Sequence, residues 1–380
     1  HDEVGDSPAP LGMSVQRFHE KMQQRLRSTP LSLNATATHD TKRGEDARVR
    51  INVLSRIPEM WKEHVGLWMQ VNKSCRTTSN GKTIPELNDE YFIYQSMIGG
   101  FPEDFTVTDD WKKRVQSFLN KALREAKVNT NWSSPDEEYE QGCEKFVDAI
   151  LRPEHNFLSS FIPFLKTVCE HAMIYTLSQT LVKLTAPGIP DIYQGCELWD
   201  LSFVDPDNRR PVDYEKRMEF LFQLVIKEEK GKEAVLNYLR DHREEGIEKL
   251  YITWKALTLR RSYPLLFSEG EYLPLVITGK EITSAAFARH RKDEWVIVAF
   301  PLGLVTHESN PSSNSRQEQY LILPEGAAQQ WTHVFTGEKS EAINQISLAD
   351  LFSRFPVALL IGQSFENTPP YTNVQTLSTF

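Results

Sequence analysis

The sequence predicts a multi-domain α+β protein, and three observations predict it. Helical periodicity fills the first two-thirds of the chain, two short apolar strand candidates interrupt it at 31–40 and 189–195, and from about Tyr272 the pattern becomes a series of short β-rich runs. At 380 residues, 40% hydrophobic and 11% aromatic, the chain can bury cores for two or three domains, which excludes intrinsic disorder. Its 52 acidic residues against 43 basic ones give a net charge of -9, without the basic excess of a protein that coats nucleic acid or an acidic membrane. The cysteines, Cys75, Cys143, Cys169 and Cys196, form no C-x-x-C pair, which argues against a zinc ribbon or a disulfide scaffold and for a reducing, cytoplasmic compartment. The opening HDEVGDSPAP has neither a methionine nor the segments of a secretion signal, and reads as a cut end.

Taken in order, 14–28 place Val15, Phe18, Met22 and Leu26 on one helical face behind Ser14. LSLNATATHD then reads as a buried strand that ends in polar chemistry, with His39 and Asp40 at its C-terminal tip. From Glu45 to about Val71 the chain reads helical, broken at Pro58. A polar stretch, KSCRTTSNGKTIPELND, precedes amphipathic helices near 90–98, 110–127 and 136–151. In the second of these, Lys112, Lys113, Arg114, Lys121 and Arg124 read as a solvated face. A long apolar helix from about 156 contains Pro163, Lys166, Glu170, His171 and Lys183, which favours burial over a membrane span. It ends at Ala186-Pro187-Gly188, where IPDIYQG follows as the second strand. Helical pattern returns from Tyr214 to about Arg261, and the remaining runs, among them SAAFARH, EWVIVAF and FPVALLIG, keep the rhythm of an antiparallel sandwich. NPSSNSRQEQ, 310–319, reads as a hairpin loop.

Both strand candidates end in clusters of charged and aromatic groups, the arrangement by which α/β barrels build active sites. The first cluster is Thr38-His39-Asp40-Thr41-Lys42-Arg43, followed by Glu45 and Asp46. It could hold vicinal hydroxyls and set a carboxylate beside developing positive charge; equally, Asp40 or Thr41 could cap the next helix, with the following charges as its wet first turns. The second runs from Gln194 through Glu197, Trp199 and Asp200 to Asp205-Pro206-Asp207-Asn208-Arg209-Arg210. Here Tyr193 and Trp199 could stack on pyranose faces while Asp207, Arg209 and Arg210 contact hydroxyls. The structural alternative pairs Asp205 or Asp207 with Arg209 or Arg210 to stabilise a turn. Cys169-Glu170-His171 has no second ligand at metal spacing, and nucleophile-elbow, nucleotide-phosphate and dinucleotide fingerprints are absent from the sequence.

ATATHDTKRGEDARVRINVLSRIPEMW, NDEYFIYQSMIG, NWSSPDEEYE and APGIPDIYQGCELWDLSFVDPDNRRPVDY closely resemble the maltooligosyl trehalose synthases, a group within the α-amylase family (glycoside hydrolase family 13) of (β/α)8 TIM barrels. The resemblance runs from about residue 3 to 362. It implies a cofactor-free isomerase that converts the reducing-end α-1,4 bond of a maltooligosaccharide to an α,α-1,1 bond by intramolecular transglycosylation. By motif, Asp40 matches the third catalytic carboxylate, the transition-state stabiliser, with His39 its sugar-binding neighbour on strand seven and Lys42 facing the acceptor glucose. The loop from Gln194 to Arg210 after strand eight matches the wall that retains that glucose; Tyr193, Arg43 and Glu197 join the expected substrate contacts. The resemblance also implies that the first six barrel strands lie outside this chain, with the nucleophile and the acid/base, so that the chain alone is inactive. Cys196 stands where the family tends to carry a small hydroxyl residue.

The fold expected is therefore the C-terminal part of a TIM barrel with a large helical insertion, followed by an antiparallel β-sandwich. Its divisions are 1–60 (barrel, strand seven), 61–185 (insertion), 186–270 (strand eight, active-site loop and final helices) and 271–380 (sandwich). Expected partners are the maltooligosaccharide, the missing N-terminal barrel portion and, transiently, a maltooligosyl trehalose hydrolase, with no nucleic acid and no membrane. The rival readings are a non-catalytic carbohydrate-binding or docking module, which binds sugar without turnover, and an α-amylase-type hydrolase, which releases reducing ends.

Overall fold

The computed structural model describes residues 12–79, 81–280, 282–302 and 319–363. The opening segment and all but the last residue of the 310–319 loop lie outside them. The chain forms two compact units, one from 33–184 and 189–254, the other from 15–32, 185–188 and the residues from 255 on.

Helix α1 (Val15–Ser28) belongs to the second unit and buries His19 and Met22. The first unit begins with β1 (Leu33–Asn34), which pairs in parallel with β4 (Ile189–Pro190). The two strand candidates thus meet each other, though each is only two residues long. Leu33 and Ile189 stay 65% and 43% exposed, unusual for a parallel ladder, whose strands are normally covered on both faces. Between them come α2 (Glu45–Leu54) and α3 (Pro58–Val71), separated where Pro58 ends one helix and opens the next. The polar stretch that read as loop contains a hairpin, β2 (Thr77–Ser79) and β3 (Lys82–Ile84). Three-residue strands carry too little alternation to be read from sequence; Ile84 nevertheless buries against Gly142, where a Cβ would come within 2.5 Å of it.

Helices α4 (Leu87–Gly100), α5 (Asp109–Ala126), α6 (Glu137–Ile150) and α7 (Phe157–Thr185) enclose an aromatic core. Trp68 sits at its centre, 5.2–5.6 Å from the rings of Phe161, Tyr94, Phe164 and Phe157. Large rings in edge and tilted contact bury area that short helices alone could not hold together. After β4 and a long loop come α8 (Tyr214–Glu229), α9 (Lys232–Asp241) and α10 (Ile247–Ser262). The single helical pattern seen from Tyr214 onward is divided by Gly231 and Gly246, at φ +107° and +78°.

In the second unit α11 (Pro264–Glu269) leads into β5 (Glu271–Leu275), β6 (Ile277–Thr278), β7 (Ser284–Arg291), β8 (Glu294–Pro301), β9 (Tyr320–Ile322), β10 (Gln330–His333), β11 (Lys339–Glu341) and β12 (Gln345–Ser347), then α12 (Leu348–Leu351) and β13 (Ala358–Gln363). Six strands form an antiparallel sheet in the order β11-β10-β13-β8-β7-β5, and three form a second in the order β12-β9-β6. Leu321 and Ile346 of the smaller sheet join Ala286, Ile297, Trp331 and Leu360 of the larger in one buried cluster. Among the described residues no helix is long and apolar enough to cross a membrane, and no group of His, Cys, Asp and Glu is arranged to hold a metal ion.

Candidate active-site loops and the charge cluster beneath them

The segment after β1 closes into a turn, in which Thr41 Oγ donates to Thr38 O at 2.8 Å and Asp40 N to Thr38 Oγ1 at 3.2 Å. Tight local bonding projects His39 and Asp40 outward, with side chains 59% and 75% exposed and 3.2 Å apart. Neither Asp40 nor Thr41 caps the next helix; α2 begins at Glu45 after Gly44. The cap comes from the distant loop: Asp200 accepts from Glu45 N with its carboxylate, and from Asp46 N and Ala47 N with its carbonyl, all at 3.2 Å. A carboxylate at a helix N-terminus satisfies orphan amides and complements the dipole. Gly44 permits this approach, since a Cβ there would lie 2.4 Å from Asp200 O.

Glu45 and Asp46 are not wet first turns. They are 1% and 3% exposed and neutralised by Lys183 and Lys249. Lys249 Nζ lies 2.7 Å from both carboxylates and donates to Leu198 O at 3.0 Å; Lys183 Nζ reaches Glu45 at 3.1 Å and Thr36 at 2.9 Å. Thr176 and the Asp200 amide donate to Asp46 at 2.8 and 2.7 Å. Burial raises the Glu45 carboxyl, but Lys249 and Lys183 outweigh it and hold the group at about 2. Burial lowers Lys249, and Asp46 and Glu45 reverse that, holding the ammonium well above its ordinary value. Burial, with Glu45 beside it, raises the Asp46 carboxyl against the pull of Lys249; two acids facing two ammonium groups with every contact hydrogen-bonded is the condition under which buried ions are tolerated. This cluster fastens α2, α7, α10 and the 198–200 loop together.

The second loop is held from α5. Arg114 makes a bidentate pair with Asp207 at 2.6 and 3.0 Å, and Lys121 pairs with Asp205 at 2.8 Å. Burial raises Asp207, yet Arg114 and Arg210 hold it below the ordinary carboxylate range; Lys121 does the same for Asp205. Arg114 and Lys121 therefore clamp the loop, correcting their reading as solvated, while Lys113 stays exposed: the two lie seven residues apart on one face of α5, opposite the two acids of DPD. The turn pairs weighed from sequence are both formed, Asp205 with Arg209 at 3.6 Å and Asp207 with Arg210 at 3.1 Å.

The two loops meet at Asn208. Its Nδ2 donates to His39 O at 3.0 Å and Thr38 O at 3.4 Å, while its own carbonyl accepts from the Tyr193 hydroxyl at 3.1 Å. His39, Asp40, Tyr193 and Arg209 are so brought to one place, with Lys42 beside it, 2.7 Å from Glu125 of α5. Arg43 is not among them. It is 6% exposed, lies 5.5 Å over the rings of Phe92 and Phe118 and reaches Ser96, a buried structural cation where a sugar contact was expected. Asp207 is likewise spent, on Arg114 and Arg210, and Glu197 pairs with Arg217 at 3.1 Å. Gln194, Trp199, Asp207 and Arg210 line a separate cleft of about 320 Å³. Sequence reading missed Lys121, Glu125 and the Lys183–Lys249 set, whose only signal was lysines within apolar helices.

An exposed His-Asp turn is thus locked to a paired-charge loop, each following one of two parallel strands within a helical unit that precedes an antiparallel β unit in the chain. Comparison with known proteins gives the chain a particular kin. A protein of Mycobacterium tuberculosis (strain H37Rv), provisionally named a maltooligosyl trehalose synthase, is 32% identical over 361 residues, 95% of this chain and 41% of its own. The solved maltooligosyltrehalose synthase of Arthrobacter ramosus superposes with a TM-score of 0.75 at 27% identity, over 95% of this chain and 42% of that one. Another solved maltooligosyl trehalose synthase matches with a TM-score of 0.70 at 32% identity, over 92% and 42%. No family model matches the chain. The chain is thus a homologue of maltooligosyl trehalose synthases along nearly all its length, and it spans less than half the length of the curated relatives it matches.

Proposed function

We propose that this chain is the C-terminal portion of a maltooligosyl trehalose synthase, contributing the last two barrel strands and the acceptor side of the active site. The observation that carries this is the junction at Asn208, which fixes the His39–Asp40 turn against Tyr193 and Arg209 in a chain homologous to such synthases. The reaction moves the reducing-end α-1,4 bond of a maltooligosaccharide to an α,α-1,1 bond. A retaining mechanism uses a nucleophile and an acid/base about 5 Å apart; both belong to polypeptide outside this chain. Asp40, projecting from the turn, holds the sugar at the reacting ring and stabilises its positive charge, with His39 beside it. Lys42, Tyr193 and Arg209 hold the freed glucose while it turns to present its anomeric hydroxyl, before water can intervene.

The exposed Leu33 and Ile189, and the stripe of Tyr214, Met218 and Phe222 along α8, are where the remaining strands and helices of a barrel would pack. No cofactor takes part. The partners are the maltooligosaccharide, that remaining barrel polypeptide and, transiently, a maltooligosyl trehalose hydrolase; the four free thiols suit a cytoplasmic site of action.

The test is a reducing-end assay with maltopentaose. The 380-residue chain leaves reducing ends unchanged, a polypeptide restoring the missing strands consumes them, and Asp40→Asn in that polypeptide lowers the rate by about 10² or more. Turnover by the chain alone, an undiminished Asp40→Asn enzyme or a net gain of reducing ends overturns the reading.

A further inference from the structure

Lys42 stands between the Thr38–Thr41 turn and the bridge that pairs Arg43 with Phe203, so its backbone is fixed on both sides. Its ammonium, at the end of a flexible four-carbon stem, is fixed by neither. Glu125, 83 residues along the chain, does that: its carboxylate accepts from Lys42 Nζ at 2.7 Å. Helix chemistry alone does not put an acid there. Glu125 is the penultimate residue of α5, where the dipole is negative and a carboxylate is disfavoured. One turn earlier on the same helix, Lys121 donates to the Asp205 carbonyl and carboxylate at 2.9 and 2.8 Å. The end of α5 thus reaches both loops, the second through Lys121 and the first through Glu125.

The charges around Lys42 alternate. Lys121, with Arg209 and Lys42 near it, holds the Asp205 carboxyl below its ordinary range, so three cations share two carboxylates, Asp205 and Glu125. Without Glu125 a single carboxylate would face all three, and Lys42 would be repelled from where it now stands. Lys42 is the cation assigned to the freed glucose, an acceptor that must stay in place while water is kept out. An acceptor held by a group that wanders by about 1 Å loses its advantage over water.

We infer that Glu125 is a positioning residue: by fixing the Lys42 ammonium it decides how often the glycosyl group passes to the freed glucose and how often to water. This rests on the proposed function. In the first outcome the anomeric hydroxyl attacks the glycosyl carbon, the acid/base accepts its proton, the bond to the nucleophile's carboxylate breaks, and a non-reducing product forms. In the second, water attacks the same carbon with the same proton transfer, and glucose leaves beside a shortened, reducing chain. The experiment takes the polypeptide that restores the missing strands, supplies maltopentaose, and measures free glucose against non-reducing product. Glu125→Ala raises that ratio about fivefold, the worth of one hydrogen bond to the group that holds the acceptor. In a Lys42→Ala background the same substitution adds nothing, because Glu125 acts through Lys42. A product ratio does not depend on how much enzyme is folded, so a general loss of structure does not imitate the effect. An unchanged ratio in Glu125→Ala, or a rise of the same size with Lys42 already removed, overturns the inference and leaves the synthase reading standing. An unsubstituted polypeptide that makes no non-reducing product overturns both.

Discussion

Lys249 in the helical unit and Arg289 in the β unit are both buried cations, 1% and 0% exposed, and they are satisfied in opposite ways. Lys249 meets two carboxylates and is held above its ordinary value by them. Arg289 meets neutral carbonyls, those of Gly270, Phe267, Glu271 and Leu266 at 2.9–3.4 Å, and burial, with Arg260 nearby, pulls it down to about 10. Arg289 stays charged at neutral pH and closes two helix ends, that of α11 within about 25 residues of its own position and that of α7 through Thr185 O at 3.5 Å. The lysine joins 45–46 and 198–200 to its own helix, the segments that carry the candidate site. Ionic pairing is used where buried carboxylates must be held at one spot, and carbonyl capping where helix ends must be closed.

The comparison predicts unequal costs. Lys249→Met leaves Glu45 and Asp46 with Lys183 alone and costs about 3–5 kcal/mol in urea unfolding, the penalty for an uncompensated buried charge. Adding Asp46→Asn to it recovers a large share, because charge balance is then restored; an additive double variant breaks the comparison. The acid limb comes next. Glu45 titrates near 2 when folded and near 4.5 when unfolded, so below pH 4.5 the unfolded chain binds the extra proton. The stability it contributes is complete above pH 4.5 and lost as pH falls towards 2, on the order of 3 kcal/mol. Subtracting the pH profile of Glu45→Gln from that of the wild type isolates this slope, and a flat difference refutes it. Arg289→Met costs less, about 1–3 kcal/mol, since it uncovers carbonyls but strands no opposite charge. Equal losses for Lys249→Met and Arg289→Met would mean that carboxylate pairing is not what separates the two sites.

The sequence showed the helices of the first unit and the strands of the second well, because periodicity and burial coincide there: Val115, Phe118, Leu119 and Trp111 lie on the buried side of α5 as their spacing required. It placed both candidate segments after strands, and the two strands do pair. It did not show what the charges do. Glu45, Asp46, Arg114 and Lys121 resemble a wet helix face in sequence, and only the return of the 198–210 loop, some 80–155 residues away, turns them inward. Hydrophobic pattern is a local signal, whereas a charge's partner is set by topology. For the same reason Arg43 read as a sugar contact and is packed beneath Phe92 and Phe118.

The smallest expected effect sharpens the comparison by removing burial while keeping a pair. Lys42 and Glu125 lie 2.7 Å apart, shorter than several of the buried contacts, but with side chains 26% and 36% exposed. Solvent screens such a pair and ordering two long side chains offsets part of its attraction. A Lys42→Ala, Glu125→Ala double-mutant cycle gives a coupling of about 0–1 kcal/mol, which vanishes at 1 M salt, where the screening length is about 3 Å. The Lys249–Asp46 coupling, at the same 2.7 Å, survives that salt because water and ions do not reach it. In a polypeptide that restores the missing strands, Lys42→Ala still slows consumption of reducing ends despite leaving stability intact. A cation that contributes little to folding, yet is held by Glu125 beside the His39–Asp40 turn, is left for the sugar contact that the proposed function assigns to it.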